Sequence, residues 1–95
     1  MNGEILVREM AATEQEFRRV LEFAFPRDVT ERDGKLLVTG EGAAMEIGLT
    51  SLPPRVIARL CLPRLAVRIR FIDGAPEQRQ ALLARMDRAM QRGGG

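Results

Sequence analysis

The sequence predicts an α+β fold: one antiparallel sheet of about four to six strands, with two amphipathic helices packed on one face. Three observations carry this expectation. The run Arg64 to Ile72 alternates Leu65, Val67, Ile69 and Phe71 with Arg64, Arg68 and Arg70, the period-two pattern of a strand with one face in a core. Phe17, Val20, Leu21 and Ala24, and later Leu82, Leu83, Met86, Ala89 and Met90, recur at helical spacing. Between them, Asp33-Gly34 joins two short runs in the manner of a tight hairpin.

In chain order, Glu4 to Met10 is expected as a short strand around Ile5, Leu6 and Val7. Thr13 and Glu16 form a capping box that starts the first helix. Glu14 and Arg18 are placed to pair one turn apart, and Pro26 stops the helix at Phe25. Arg27 to Arg32 and Lys35 to Thr39 form the hairpin about Asp33-Gly34, and Gly40-Glu41-Gly42 turns into a strand over Ala44 to Thr50. Pro53-Pro54 argues against a continuing central strand. Arg55 to Leu62 reads as a separate strand, with Val56, Ala58, Leu60 and Leu62 inward; a short helix from Pro54 is the alternative. A bulge or register shift is expected near Leu62-Pro63-Arg64, where no glycine permits a tight turn. After the Arg64 to Ile72 strand, Pro76 and Glu77 open a second helix that runs to about Gln91. Arg85, Arg88 and Arg92 favour its negative end.

The resulting order is β-α-β-β-β-β-β-α over one domain, residues 1–92, with residues 93–95 a flexible glycine tail. That order is not the ferredoxin-like one. It resembles a small helix-grip arrangement, in which a curved sheet wraps the last helix, and the likeness is of element order alone.

The composition excludes more functions than it suggests. With no histidine and no tyrosine, the commonest general base and metal ligand are missing. One cysteine permits neither an internal disulfide nor a cysteine metal site; Cys61, in an apolar stretch, is expected buried and inert. No phosphate-binding loop or dinucleotide fingerprint is present, so no enzyme activity, metal or cofactor is expected. No apolar run is long enough to span a bilayer and no signal peptide opens the chain, and the expected location is the cytoplasm.

Charge supplies the remaining lead. Arginine outnumbers lysine fourteen to one, a ratio that codon bias explains as readily as selection for anion recognition. Residues 1–50 carry a net −4 and residues 51–95 a net +6. Arg55, Arg59, Arg64, Arg68 and Arg70 are expected to share the outer sheet face, with Glu46 as an internal partner. Set among Ile57 and Ile72, they give the mixed apolar and arginine character of an interface, and the expected function is a protein-interaction or self-association module. An apolar or anionic small molecule held between the sheet and the second helix, near Met86 and Met90, is an alternative. Nucleic-acid binding is a weaker one, because Phe17, Phe23, Phe25 and Phe71 are expected mostly in core stripes and unavailable to stack bases. Arg92 and the three terminal glycines have the composition of a modifier tail but follow a helix, which favours a simple helix stop.

Overall fold

A computed structural model describes residues 5–93. Five strands form one antiparallel sheet in the spatial order β1-β5-β4-β3-β2: β1 (Ile5–Met10), β2 (Val29–Arg32), β3 (Lys35–Gly40), β4 (Ala43–Ile57) and β5 (Leu60–Asp73). Helix α1 (Glu14–Ala24) follows β1, and α2 (Pro76–Gly93) closes the chain. The α+β architecture is the expected one, with one strand fewer than the predicted order. Gly93 still belongs to α2, while Glu4, Gly94 and Gly95, which the expected first strand and tail include, lie outside the described residues.

Local chemistry accounts for most boundaries. The Thr13 hydroxyl accepts a hydrogen bond from the Glu16 amide at 3.1 Å, and the Glu16 carboxylate accepts one from the Thr13 amide at 2.8 Å, so two orphan helix donors are satisfied. Helix α2 lacks a side-chain cap at Ala75, but the Gln78 side chain accepts from the Ala75 amide at 2.8 Å, the return half of the same device. Asp33 and Gly34 both take positive φ, 54° and 77°, as a two-residue primed turn requires. Gly74 is held at φ 111°, and a Cβ there would lie 2.6 Å from that of Ala43; only glycine fits this end of β5.

The core lies between the sheet's inner face and the helices. Leu36 and Val38 of β3, Met45 and Ile47 of β4, and Leu65, Val67 and Ile69 of β5 face Phe17, Leu21 and Phe25, and Leu82, Met86 and Met90 of α2. Three arginines tie the elements together. Arg8 on β1 pairs with Asp87 of α2, and Arg18 of α1 reaches Glu31 of β2 and Glu14, each at 3.1 Å. Arg85 of α2 donates to the Ala24 carbonyl at 2.8 Å and stacks 4.3 Å over the Phe25 ring. It gives α1 the C-terminal cation that the helix's own last turn lacks.

The principal difference from expectation concerns residues 53–62. Arg55 to Leu62 is neither an inward-facing strand nor a helix. The chain turns at Ala58-Arg59, so Arg55 lies opposite Leu62, Val56 opposite Cys61 and Ile57 opposite Leu60. β4 continues through Pro53-Pro54 because β3 has already ended: its register reaches only to Ile47, and no neighbour there demands an amide donor. Between the pairs Leu52–Arg64 and Arg55–Leu62, two β4 residues oppose Pro63 alone, a bulge at the expected place. Ala58 supplies the turn with φ 54°, a conformation usually left to glycine, which is why the sequence carries no turn signal there.

Candidate functional site

The β4–β5 hairpin outruns its neighbours. β1 pairs with β5 only over residues 65–70, so residues 53–64 project beyond the sheet as a two-stranded arm and lengthen the molecule to 45 Å, against 26 and 24 Å in the other directions. With no layer over either face, its apolar side chains meet water. Val56 is 67% exposed, Ile57 51%, Leu60 61% and Leu62 38%. Cys61 is likewise exposed, not buried as its neighbours suggest, because those neighbours form no core. A two-stranded hairpin is marginal by itself in water, and this one draws its stability from the sheet that feeds it.

Strand parity continues the outer sheet face onto the arm. Arg64, Ala66, Arg68 and Arg70 of β5 lie opposite Leu52, Thr50, Gly48 and Glu46 of β4, and Val7 and Ile5 of β1 flank them on the other side. Past the bulge, Arg55 and Leu62 share that face. The structure therefore brings Arg55, Arg64, Arg68 and Arg70 onto one surface and sets Arg59 apart in the turn at the arm's tip.

These arginines differ in their engagement. Arg64 is the clamp at the arm's base. Its Nε and Nη2 donate to the two Glu9 oxygens at 2.8 and 2.9 Å, and Nη1 reaches the Pro53 carbonyl at 3.3 Å at the bulge. The Arg64 hydrogen bond holds the Glu9 carboxyl below its usual range, with the charges of Arg64 and Arg55 acting in the same direction, and Glu9 raises Arg64 in turn. Arg70 pairs with Glu46 at 3.1 Å, the expected partner, and Lys35 approaches the same carboxylate at 3.7 Å. Arg55, Arg59 and Arg68 have no ion pair among the described residues. Arg68 lies over the groove left by Gly48, a shallow depression of about 320 Å³ bordered by Ile5, Lys35, Glu46 and Arg70.

Three prolines, Pro53, Pro54 and Pro63, sit on the arm's two strands. Lacking an amide hydrogen, they blunt both open edges against addition of another strand. What the arm offers is therefore its side-chain faces.

Sequence reasoning missed the arm because its turn has no glycine, asparagine or aspartate. A usable signal existed: two long strand patterns flank a segment that no third pattern is long enough to cover. Phe23 is a second departure. It is 86% exposed on α1, outside the stripe that Phe17 and Leu21 bury. Met86 and Met90 are both buried in the core; Met90 alone borders an open cleft, with Met10 and Phe17.

Among the described residues no helix is long and apolar enough to cross a membrane, and no group of three or more acidic or cysteine side chains is placed to hold a metal. In comparison with known proteins, the chain matches no family model, no curated protein and no solved structure.

Proposed function

We propose that this chain is a non-enzymatic, cytoplasmic interaction module that docks an acidic-rimmed apolar groove of a partner protein, using the β4–β5 arm and the basic outer sheet face. The observation that carries the reading is the arm itself: Val56, Ile57, Leu60 and Leu62 exposed on a proline-bearing hairpin, continuous with Arg55 and Arg68 and tipped by Arg59, three arginines that lack carboxylate partners among the described residues. Apolar side chains with arginine form the composition of interface centres. A protein partner suits this face better than nucleic acid, since Phe17 and Phe25 are buried and the outer face offers no aromatic ring on which to stack a base. A heterologous partner suits it better than a second copy, because residues 51–64 hold three arginines and no acid, and two such arms repel. A single exposed thiol, Cys61, is compatible with a reducing compartment.

The experiment is a capture from the native host with three proteins: wild type, Ile57→Thr/Leu60→Thr, and Arg68→Thr/Arg70→Thr. Both variants keep the wild-type circular dichroism spectrum and lose the same partner, and wild-type capture weakens as salt rises. Identical partner sets for all three overturn the proposal. Light scattering at high micromolar concentration gives a monomer; a dimer dissolved by the Ile57→Thr/Leu60→Thr change assigns the arm to self-association instead.

A further inference from the structure

The helix layer carries a second apolar surface, away from the outer sheet face and independent of the arm. Arg19, Val20, Phe23 and Ala24 of α1 face Arg85, Arg88 and Ala89 of α2 across an open groove of about 570 Å³. The spacings are those of one stripe on each helix, lying beside the stripe that each buries in the core. Val20, Ala24 and Ala89, half-buried, make the floor. Phe23 forms one wall and is almost wholly in water. At the rim, Arg85 is committed to Ala24, Glu41 and the Phe25 ring, whereas Arg19 and Arg88 make no ion pair among the described residues.

We infer that this groove is a docking site for an amphipathic helix whose apolar stripe is flanked by carboxylates, supplied by a partner protein. Charge complementarity chooses the occupant's sign: cations on both walls meet glutamates or aspartates on either side of an apolar ridge. Shape chooses a helix. The groove is open along one side, so a small amphiphile would leave much of its chain in water, whereas small-molecule sites enclose most of their ligand. A third helix laid over two neighbouring helices packs its ridge between them and covers Phe23. A second copy of the chain is disfavoured, since α2 is itself arginine-rich and, of α1's three acidic residues, Glu14 pairs with Arg18 and Glu16 caps the N-terminus, which leaves Glu22 alone to meet the groove's arginines.

The test uses isotope-labelled full-length chain and two synthetic helical peptides of roughly 18 residues, about 27 Å long. They share an apolar stripe at i, i+3, i+4 and i+7 and differ only in carrying glutamate or lysine beside it. The glutamate peptide shifts the amide signals of Val20, Phe23, Ala24 and Ala89 in a saturable way, and the lysine peptide does not. Phe23→Ala weakens the glutamate peptide about tenfold. Arg19→Glu/Arg88→Glu abolishes its binding and admits the lysine peptide. All these side chains are exposed, so the variants melt like wild type. Absence of saturable shifts at the groove, or equal binding of both peptides, overturns the inference. Decanoate shifting the same residues while the glutamate peptide leaves them unmoved also overturns it and assigns the groove to a small anionic amphiphile. Loss of the arm's partner leaves all of these readouts unchanged.

Discussion

Single residues at the base of the arm carry more of its geometry than their exposure suggests. Arg64 spans Glu9 and the Pro53 carbonyl, joining the last turn of β1's ladder to the bulge of β4. Because the folded state lowers the Glu9 pKa from its usual 4.5, it favours the carboxylate. The stabilisation is therefore present above the unfolded value and lost as pH falls through the lowered one. Comparison of wild type with Glu9→Gln in urea should show a gap between their midpoints at pH 7 that closes as the solution is acidified below 4.5. An equal gap at pH 7 and pH 3 rules out the ionised pair as its cause. Arg18, raised chiefly by its hydrogen bond to Glu31, has no such signature, since a guanidinium remains charged throughout the accessible range.

At the scale of elements, the arm is the place where local and global preferences disagree. Ala58 occupies a left-handed conformation that costs an L-residue about 1–2 kcal/mol, while glycine there would lose about 0.4–1 kcal/mol to the freedom of the unfolded chain. The Ala58→Gly change should accordingly stabilise the hairpin tip by about 0.5 kcal/mol, roughly a twofold slowing of amide exchange within the arm. Global melting should not move, because the arm opens without disturbing the core. Faster exchange in the variant refutes this account of the turn. The helices show the opposite case, with local signals and tertiary contacts in agreement: Thr13 and Glu16 start α1, and Arg85 from the other helix completes its end.

Across the whole molecule, the sheet is the organising body, and burial distinguishes what stabilises it from what is presented outward. Leu82 of α2 is fully buried between the sheet and α1. Leu82→Ala should cost about 2–5 kcal/mol in urea unfolding, through lost transfer energy and the cavity left behind. Leu60→Ala on the arm should stay within about 0.5 kcal/mol. Equal costs at both positions contradict the division of the molecule into a core and a projecting arm.

Much of this division is written in the chain. The Arg64 to Ile72 alternation, the Thr13–Glu16 box, the Asp33-Gly34 turn and the Glu46–Arg70 pairing depend on neighbours a few residues away or directly opposite in a sheet, so periodicity and turn chemistry reveal them. Periodicity states which residues share a face. It does not state whether anything covers that face. Val56 and Leu60 are apolar at positions that pattern alone assigns to a core, Phe23 is apolar beside such a stripe, and all three face solvent. For the arm the reason is length: β4 and β5 have 15 and 14 residues, while β1 and β3, which flank them, have 6 each. For Phe23 it is the placement of α2 beside α1, which closes over one stripe of the helix and leaves the next one open. Only the tertiary structure sets those two boundaries, because each is fixed by where a neighbouring element ends.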